Sequence, residues 1–242
     1  MLQRLEKLRA GFSQLQIEGI LIQKPEDRFY FSGFTGSAGM LLITMTEAYL
    51  LTDFRYAEQA HEEVKGFKVL EYKHPVLDFL NEILDELKIT KVGFEDEVLT
   101  YSQYRNYQEK LISVDFVPLK DALAKLRQVK NDQEIQLLQK AIDLSDKAFS
   151  HILDFLKPGV SEQDVALELE FFMRKNGATK KAFDIIVASG IRSSMPHGVA
   201  SEKKLEVGDF ITMDLGAVYK GYHSDITRTV IMGEASDKQK DL

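Results

Sequence analysis

The sequence of 242 residues contains no cysteine and no tryptophan. The absence of cysteine excludes disulfide bonds and thiolate metal ligands, so a bound metal would depend on carboxylates and imidazoles. No apolar run is long enough for a signal peptide or a membrane span, which favours a cytoplasmic protein. Positive charge is also scarce: 31 basic against 38 acidic residues give a net charge of −7. Charge therefore favours neither nucleic acid nor an anionic membrane as a partner.

What the sequence does contain is typical of a soluble globular protein, with 44% hydrophobic and 29% charged residues. In residues 1–124, helix and strand signals alternate. Leucine spacing predicts a helix over residues 2–16, a short apolar strand follows at residues 19–22, and Pro25 can begin a short helix. About six strands with intervening helices predict an α/β domain with a mixed sheet.

Near residue 125 the pattern changes to a polar helical connector, and we place the domain boundary there, between residues 1–124 and 125–242. Two capping-box signatures predict the starts of long helices, one at Asn131 with Glu134 and one at Ser161 with Asp164. Strand signals dominate from residue 182 onward. The first long helix is expected to bury one apolar stripe, formed by Ile135, Leu138, Ile142, Phe149, Ile152 and Leu156.

Two aspartates near the end of the chain, Asp214 and Asp225, lie on strand-like runs joined at Lys220 and Gly221. A two-residue turn there places Tyr219 opposite Tyr222, Gly216 opposite Asp225 and Asp214 opposite Thr227. In this register the two carboxylates share one face of the sheet, about 7–8 Å apart at the backbone, and can converge on one or two cations. Gly216 is expected to leave space opposite Asp225. The alternative is a pair of surface aspartates that cap turns.

Two histidines lie near these aspartates in the sequence. His197 occupies the loop "RSSMPHGVAS", a small-residue segment of the kind that often carries functional groups. His223 shares the face of Asp225 in the predicted register, although a histidine at a strand end is more often exposed to solvent.

The ordered set of motifs resembles one family, the pita-bread metallopeptidases that include Xaa-Pro dipeptidase (prolidase) and aminopeptidase P. The similarity extends over essentially the whole chain. It is carried by "YFSGFTGSAGMLLIT", "LLTDFRYAEQA", "LRQVKNDQEIQLLQKA", "KPGVSEQDVALELE", "FDIIVASGIRSSMPHG" and "GDFITMDLGAVYKGYHSDITRT".

This resemblance implies a creatinase/prolidase-type α/β N-terminal domain followed by the first half of an α+β pita-bread catalytic domain. It implies hydrolysis of the peptide bond preceding proline, in dipeptides or longer peptides, by an enzyme with two divalent metal ions. Manganese is the expected metal, with cobalt or zinc as alternatives. Asp214 and Asp225 would be metal ligands, and His197 would assist catalysis at the substrate carbonyl. A homodimer is also implied.

The sequence departs from the family in one respect. The family uses a further histidine and two glutamates from later in the catalytic domain, and the chain ends before them. We therefore expect a C-terminally truncated chain that is inactive alone. Two other functions stay open: a non-catalytic binding module derived from this fold, and a creatinase-like hydrolase that cleaves a C–N bond outside peptides.

Overall fold

The computed structural model describes residues 2–241 and divides the chain into two units, one ending at Val129 and the other beginning at Lys130. Each unit has a hydrophobic core of its own. The predicted domain boundary near residue 125 separates a part of the chain that should fold on its own from a part that should not. Independent folding is not tested by this division, so the boundary stays a prediction.

The first unit contains a six-stranded sheet. Its strands are β1 (Gly19–Ile22), β2 (Met40–Thr44), β3 (Ala48–Thr52), β4 (Lys68–Glu71), β5 (Lys91–Phe94) and β6 (Asp115–Pro118). Their order in the sheet is β4-β3-β2-β1-β5-β6. Strand β1 pairs antiparallel with β2 and parallel with β5, so the sheet is mixed, as predicted.

Helices cover this sheet and bury apolar clusters against it. They are α1 (Leu2–Ala10), α2 (Phe12–Leu15), α3 (Pro25–Ser32), α4 (Ala57–Glu63), α5 (Val76–Leu87), α6 (Tyr101–Lys110) and α7 (Ala122–Gln128). The prediction of one helix over residues 2–16 was wrong, because the segment divides into α1 and α2 at Gly11. Glycine is a poor helix former, and the leucine spacing did not account for it. Pro25 begins a helix, as predicted.

The second unit contains two three-stranded sheets, with strand orders β12-β9-β8 and β11-β10-β7. Its strands are β7 (Lys180–Lys181), β8 (Ile186–Ser189), β9 (Phe210–Leu215), β10 (Ala217–Tyr219), β11 (Tyr222–His223) and β12 (Ile226–Ile231). Its helices are α8 (Asp132–Phe155), α9 (Glu162–Lys175) and the short α10 (Asp237–Lys240), with a 3₁₀ turn at Gly190–Ser194. Across residues 2–241, every helix is too short or too polar to cross a lipid bilayer.

Helices α8 and α9 begin at the predicted capping boxes, Asn131 with Glu134 and Ser161 with Asp164. The predicted apolar stripe of α8 was partly wrong, because Ile135 is 53% exposed. Small side chains occupy much of the buried face of α8, so the sheets can approach the helix closely. A prediction based on large apolar residues does not identify these small buried residues. The buried residues of α8 are Glu134, Ala141, Leu144, Ser145, Ala148 and Ile152.

Candidate metal centre

Asp214 lies on β9, where its backbone partner across the antiparallel pair with β12 is Thr227. Tyr219 pairs with Tyr222 on either side of the tight turn. Lys220 and Gly221 both have positive φ, 47° and 83°, as a two-residue hairpin turn of this twist requires. The register predicted from the sequence is therefore confirmed at both pairs.

The two strand-like runs nevertheless do not form one continuous hairpin. Gly216 separates β9 from β10, and Ser224 with Asp225 separates β11 from β12. Strands β9 and β12 belong to one sheet, whereas β10 and β11 belong to the other. Asp225 therefore lies where the chain passes from one sheet to the next, and it is exposed, while Asp214 is half-buried.

The expected space beside Gly216 is absent, so that prediction was wrong. A Cβ atom added to Gly216 would lie 2.1 Å from the carbonyl oxygen of Ser224. It would also lie 2.9 Å from both Ala182 Cβ and Phe183 Cε1. The position holds glycine because two backbone segments meet there closely, which leaves no volume for a ligand beside it.

The carboxyl group of Asp214 has a pKa that depends on its burial and on neighbouring residues. Its Oδ1 atom is buried and has no hydrogen-bond partner among the described residues. Burial raises the pKa of Asp214, and the negative charge of Asp225 raises it further. A hydrogen bond from the Thr227 side chain and the positive charge of a protonated His197 oppose that rise in pKa. Asp225 and His197, the other two residues singled out in the sequence, thus both influence the pKa of Asp214 in the folded chain.

Asp214 and Asp225 are suited to a divalent cation as part of its ligand set. Two carboxylates held close together repel each other unless a proton or cation lies between them, and Asp214 already carries an orphaned buried oxygen. Carboxylate oxygens are the donors that magnesium and manganese prefer. Over residues 2–241, no three or more His, Asp or Glu side chains are grouped so as to hold a metal ion. Asp214 and Asp225 are therefore candidate ligands of such a centre, and their role stays a prediction.

His197 lies in the loop that follows β8 and the 3₁₀ turn, within a turn formed with Pro196. Its side chain is exposed, and the loop returns to the sheet at Val199, which forms an isolated bridge with Ile186. His223 on β11 is exposed, and its backbone partner is Val218.

Sequence reasoning missed two residues that shape this region. Glu162 follows the capping residue of α9, where an acidic residue ordinarily lies on the surface, yet it is 0% exposed and binds both ends of the loop that carries His197. Ser224 is buried beside Asp225 and accepts a hydrogen bond from the Ala217 amide. The "SE" pair at the start of α9 was the available signal for Glu162, but a surface acid explains that pair equally well.

Two family models match the chain. Residues 4–129 match the creatinase/prolidase N-terminal domain, and residues 136–242 match metallopeptidase family M24. The first match coincides with the unit that contains the mixed sheet, and the second contains Asp214, Asp225 and His197.

Individual proteins agree with these matches. An uncharacterized peptidase of Bacillus subtilis, YqhT, is 48% identical and aligns with 99% of this chain and 68% of its own length. The Xaa-Pro dipeptidase of Pyrococcus furiosus is 38% identical, with 100% of this chain and 68% of its own length aligned. The structure of an Xaa-Pro dipeptidase from Bacillus anthracis superposes with a TM-score of 0.95 at 49% identity, over 99% of this chain and 67% of that protein.

The chain thus spans about two thirds of the length of these relatives. The predicted fold class is confirmed, with a creatinase-type N-terminal domain followed by part of the M24 domain. Family M24 consists of metallopeptidases, which implies divalent metal ions as cofactors. The chain therefore belongs to metallopeptidase family M24 and carries a creatinase/prolidase N-terminal domain.

Proposed function

We propose that this protein is an Xaa-Pro peptidase, a dipeptidase or an aminopeptidase P, that hydrolyses the peptide bond preceding proline. The substrate class follows relatives named Xaa-Pro dipeptidase, one of them 38% identical over 100% of this chain. Proline has no amide N–H and forms a tertiary amide, so a peptidase for this bond needs a site dedicated to it.

One observation carries the proposal at the level of residues. The Oδ1 atom of Asp214 is buried without a hydrogen-bond partner, and the charge of Asp225 acts on the same carboxyl group. A buried polar atom without a partner is costly, and a bound cation is one partner that would satisfy a carboxylate oxygen. Asp214 and Asp225 are therefore proposed as metal ligands, with manganese as the metal and cobalt or zinc as alternatives.

The bound cations would polarise the substrate carbonyl and lower the pKa of a bound water molecule towards neutrality. His197 is proposed to contact the carbonyl oxygen of the substrate, where negative charge develops during attack. Its support is an exposed position on a loop of the same unit as both aspartates, together with its electrostatic effect on Asp214.

The test measures proline release from an Xaa-Pro dipeptide after removal of metal with a chelator and addition of manganese, cobalt or zinc. An Xaa-Ala dipeptide of the same N-terminal residue is the matched control. In a chain continued to the full length of the relatives, we expect metal-dependent cleavage of the Xaa-Pro dipeptide and no cleavage of the Xaa-Ala dipeptide. For the 242-residue chain we expect weak manganese binding and negligible activity, since residues 2–241 contain no group of three or more His, Asp or Glu side chains that could hold a metal ion.

Other results would favour the other two functions. Bound metal without cleavage of either dipeptide, in the longer chain, would contradict the proposal and favour a creatinase-like C–N hydrolase. Absence of both metal and cleavage would favour a non-catalytic binding module.

We also propose a homodimer, as the family resemblance implies. Light scattering at increasing protein concentration tests it directly. A strict monomer at high concentration would contradict this part of the proposal and leave the assigned chemistry unaffected.

A further inference from the structure

The loop that carries His197 is closed by contacts at both of its ends. It leaves the sheet at Ser189, the last residue of β8, returns at the isolated bridge of Val199, and continues to Ser201. Between these two serines the chain exposes Ile191, Met195 and His197. An eleven-residue loop with an exposed apex has many accessible conformations unless something fixes its ends.

A single carboxylate binds both ends. Glu162 Oε1 accepts hydrogen bonds from the backbone N–H of Ser189 at 2.7 Å and from its hydroxyl at 2.8 Å. Glu162 Oε2 accepts from the backbone N–H of Ser201 at 3.1 Å and from its hydroxyl at 2.6 Å. One oxygen atom of Glu162 thus binds the start of the loop, and the other binds its end.

Arg192, inside the loop, adds two further hydrogen bonds to this arrangement. The Nε atom of Arg192 donates to Glu162 Oε2 at 3.1 Å, and its second guanidinium nitrogen donates to the carbonyl of Val199 at 2.7 Å. Arg192 therefore links the carboxylate to Val199, two positions after His197, where the loop returns to the sheet.

The burial of Glu162 shows that these contacts are more than a surface pairing. Its side chain is 0% exposed, whereas that of Arg192 is 26% exposed. Burial opposes ionisation, but the hydrogen bonds from Ser201 and Ser189 outweigh it and hold the pKa of Glu162 below its ordinary value. Glu162 is thus an ionised, buried acceptor whose donors all come from the loop, and removal of its charge leaves several donors without a partner.

We propose that Glu162 is a positioning residue that fixes the His197 loop relative to Asp214 and Asp225. The proposal rests on the proposed function for its catalytic consequence, but not for its structural one. Glu162 touches none of the proposed metal ligands and acts through His197, so its removal should impair the step that His197 assists.

A double-mutant cycle in the active, full-length enzyme tests this route. Glu162→Gln is expected to lower kcat about tenfold or more while KM changes less than about threefold. In a His197→Ala background the same substitution should change kcat less than about twofold, because the group it positions is already absent. An equal loss in both backgrounds would overturn the proposal. Glu168→Gln is the matched control: Glu168 lies on the same helix but pairs with His151, and its replacement should leave kcat unchanged.

Hydrogen exchange provides a readout that does not depend on activity. In Glu162→Gln, the amides of residues 190–200 should exchange at least about tenfold faster, while those of β9 keep their wild-type rates. Unchanged exchange in the loop would overturn the proposal. If the wild-type enzyme does not cleave Xaa-Pro dipeptides, the proposed function fails and this measurement still decides the role of Glu162.

A milder variant covers the case in which Glu162→Gln does not fold. Ser201→Ala removes one hydroxyl donor and leaves the carboxylate and the backbone N–H contact in place. It should accelerate loop exchange in the same direction and to a smaller extent. No acceleration in Ser201→Ala would likewise count against the proposal.

Discussion

The hydroxyl oxygens of Ser145 and Ser224 lie 2.7 Å apart in the interior and join helix α8 to the residue before Asp225. Ser224 also accepts a hydrogen bond from the Ala217 amide at 3.0 Å. Both serines are buried, at 0% and 3% exposure, so neither has water as an alternative partner. This pair holds the point at which the chain passes from one sheet to the other beside Asp225.

The two serines should differ in their contribution to stability. Ser145→Ala removes one hydrogen bond and should lower the free energy of unfolding by about 1 kcal/mol. Ser224→Ala also leaves the buried amide of Ala217 without its acceptor, and should cost about 2 kcal/mol. Chemical denaturation followed by circular dichroism measures both. Equal losses would show that the amide contact contributes nothing.

Gly216 should tolerate no side chain. In Gly216→Ala the new Cβ would lie 2.1 Å from the Ser224 carbonyl, so the backbone at the sheet crossing must move. We expect a loss of about 3 kcal/mol or more in the free energy of unfolding. Gly19→Ala on β1 is the control, since its nearest neighbour would be 3.5 Å away, and it should cost under about 1 kcal/mol. A mild effect at Gly216 would contradict the close approach of these segments.

The first unit contains a buried carboxyl group that should make its stability depend on pH. Glu95 accepts hydrogen bonds from the backbone N–H groups of Gln23 and Lys24, while its Oε1 atom is buried without a hydrogen-bond partner among the described residues. Burial raises the pKa of Glu95 to about 7, with a further rise from the charge of Asp27, which forms a 2.6 Å ion pair with Arg127. The folded unit therefore binds this proton more tightly than the unfolded chain does.

The sign of the pH dependence follows from that difference. Stabilisation by the bound proton is complete below the ordinary pKa of 4.5 and is lost as the pH rises through about 7. The loss should reach roughly 3 kcal/mol at most. Glu95→Gln should abolish this part of the pH dependence, whereas Glu97→Gln, at an exposed carboxyl two residues later, should retain it. Denaturation midpoints from pH 4 to pH 8 measure the effect, and a slope of opposite sign would refute it.

Substitutions at Asp225, a proposed metal ligand, and at His197, a proposed catalytic residue, should affect metal binding and turnover differently. Asp225→Asn removes a charged donor, so metal content and cleavage of an Xaa-Pro dipeptide should fall together. His197→Ala should retain the metal and lower turnover by about 100-fold, because its proposed partner is the substrate oxygen. Elemental analysis beside a kinetic assay of the full-length enzyme distinguishes the two. Loss of metal in His197→Ala would move that residue into the ligand set.

The first unit should survive proteolysis longer than the second. Val129 is 75% exposed and extended at the end of α7, and the exposed Lys130 follows it, so trypsin has an accessible cleavage site in the chain after Lys130. We expect a resistant N-terminal fragment, consistent with an independent domain over residues 1–124. Lys130→Gln should slow its formation. A C-terminal fragment that outlasts it would contradict the predicted domain organisation.

Features that depend on neighbouring residues could be predicted from the sequence. Each capping box joins residues three positions apart, and the hairpin register follows from the turn at Lys220 and Gly221. The division of the first helix at Gly11 was missed because leucine spacing takes no account of glycine, whereas two other wrong predictions depend on packing. Ile135 lies on an exposed face of α8, and the position beside Gly216 is filled by the Ser224 carbonyl.

The sequence by itself determined the register that places Asp214 opposite Thr227 and Tyr219 opposite Tyr222, because strand alternation and a two-residue turn are local rules. Tertiary structure alone decided that Asp214 has an orphaned buried oxygen and that Ser145 reaches Ser224 across 79 positions. It also decided that Glu162 binds Ser189 and Ser201, 27 and 39 positions away. Burial and such long-range hydrogen bonds depend on how helices α8 and α9 pack on the sheets, and no periodicity in the chain encodes that packing.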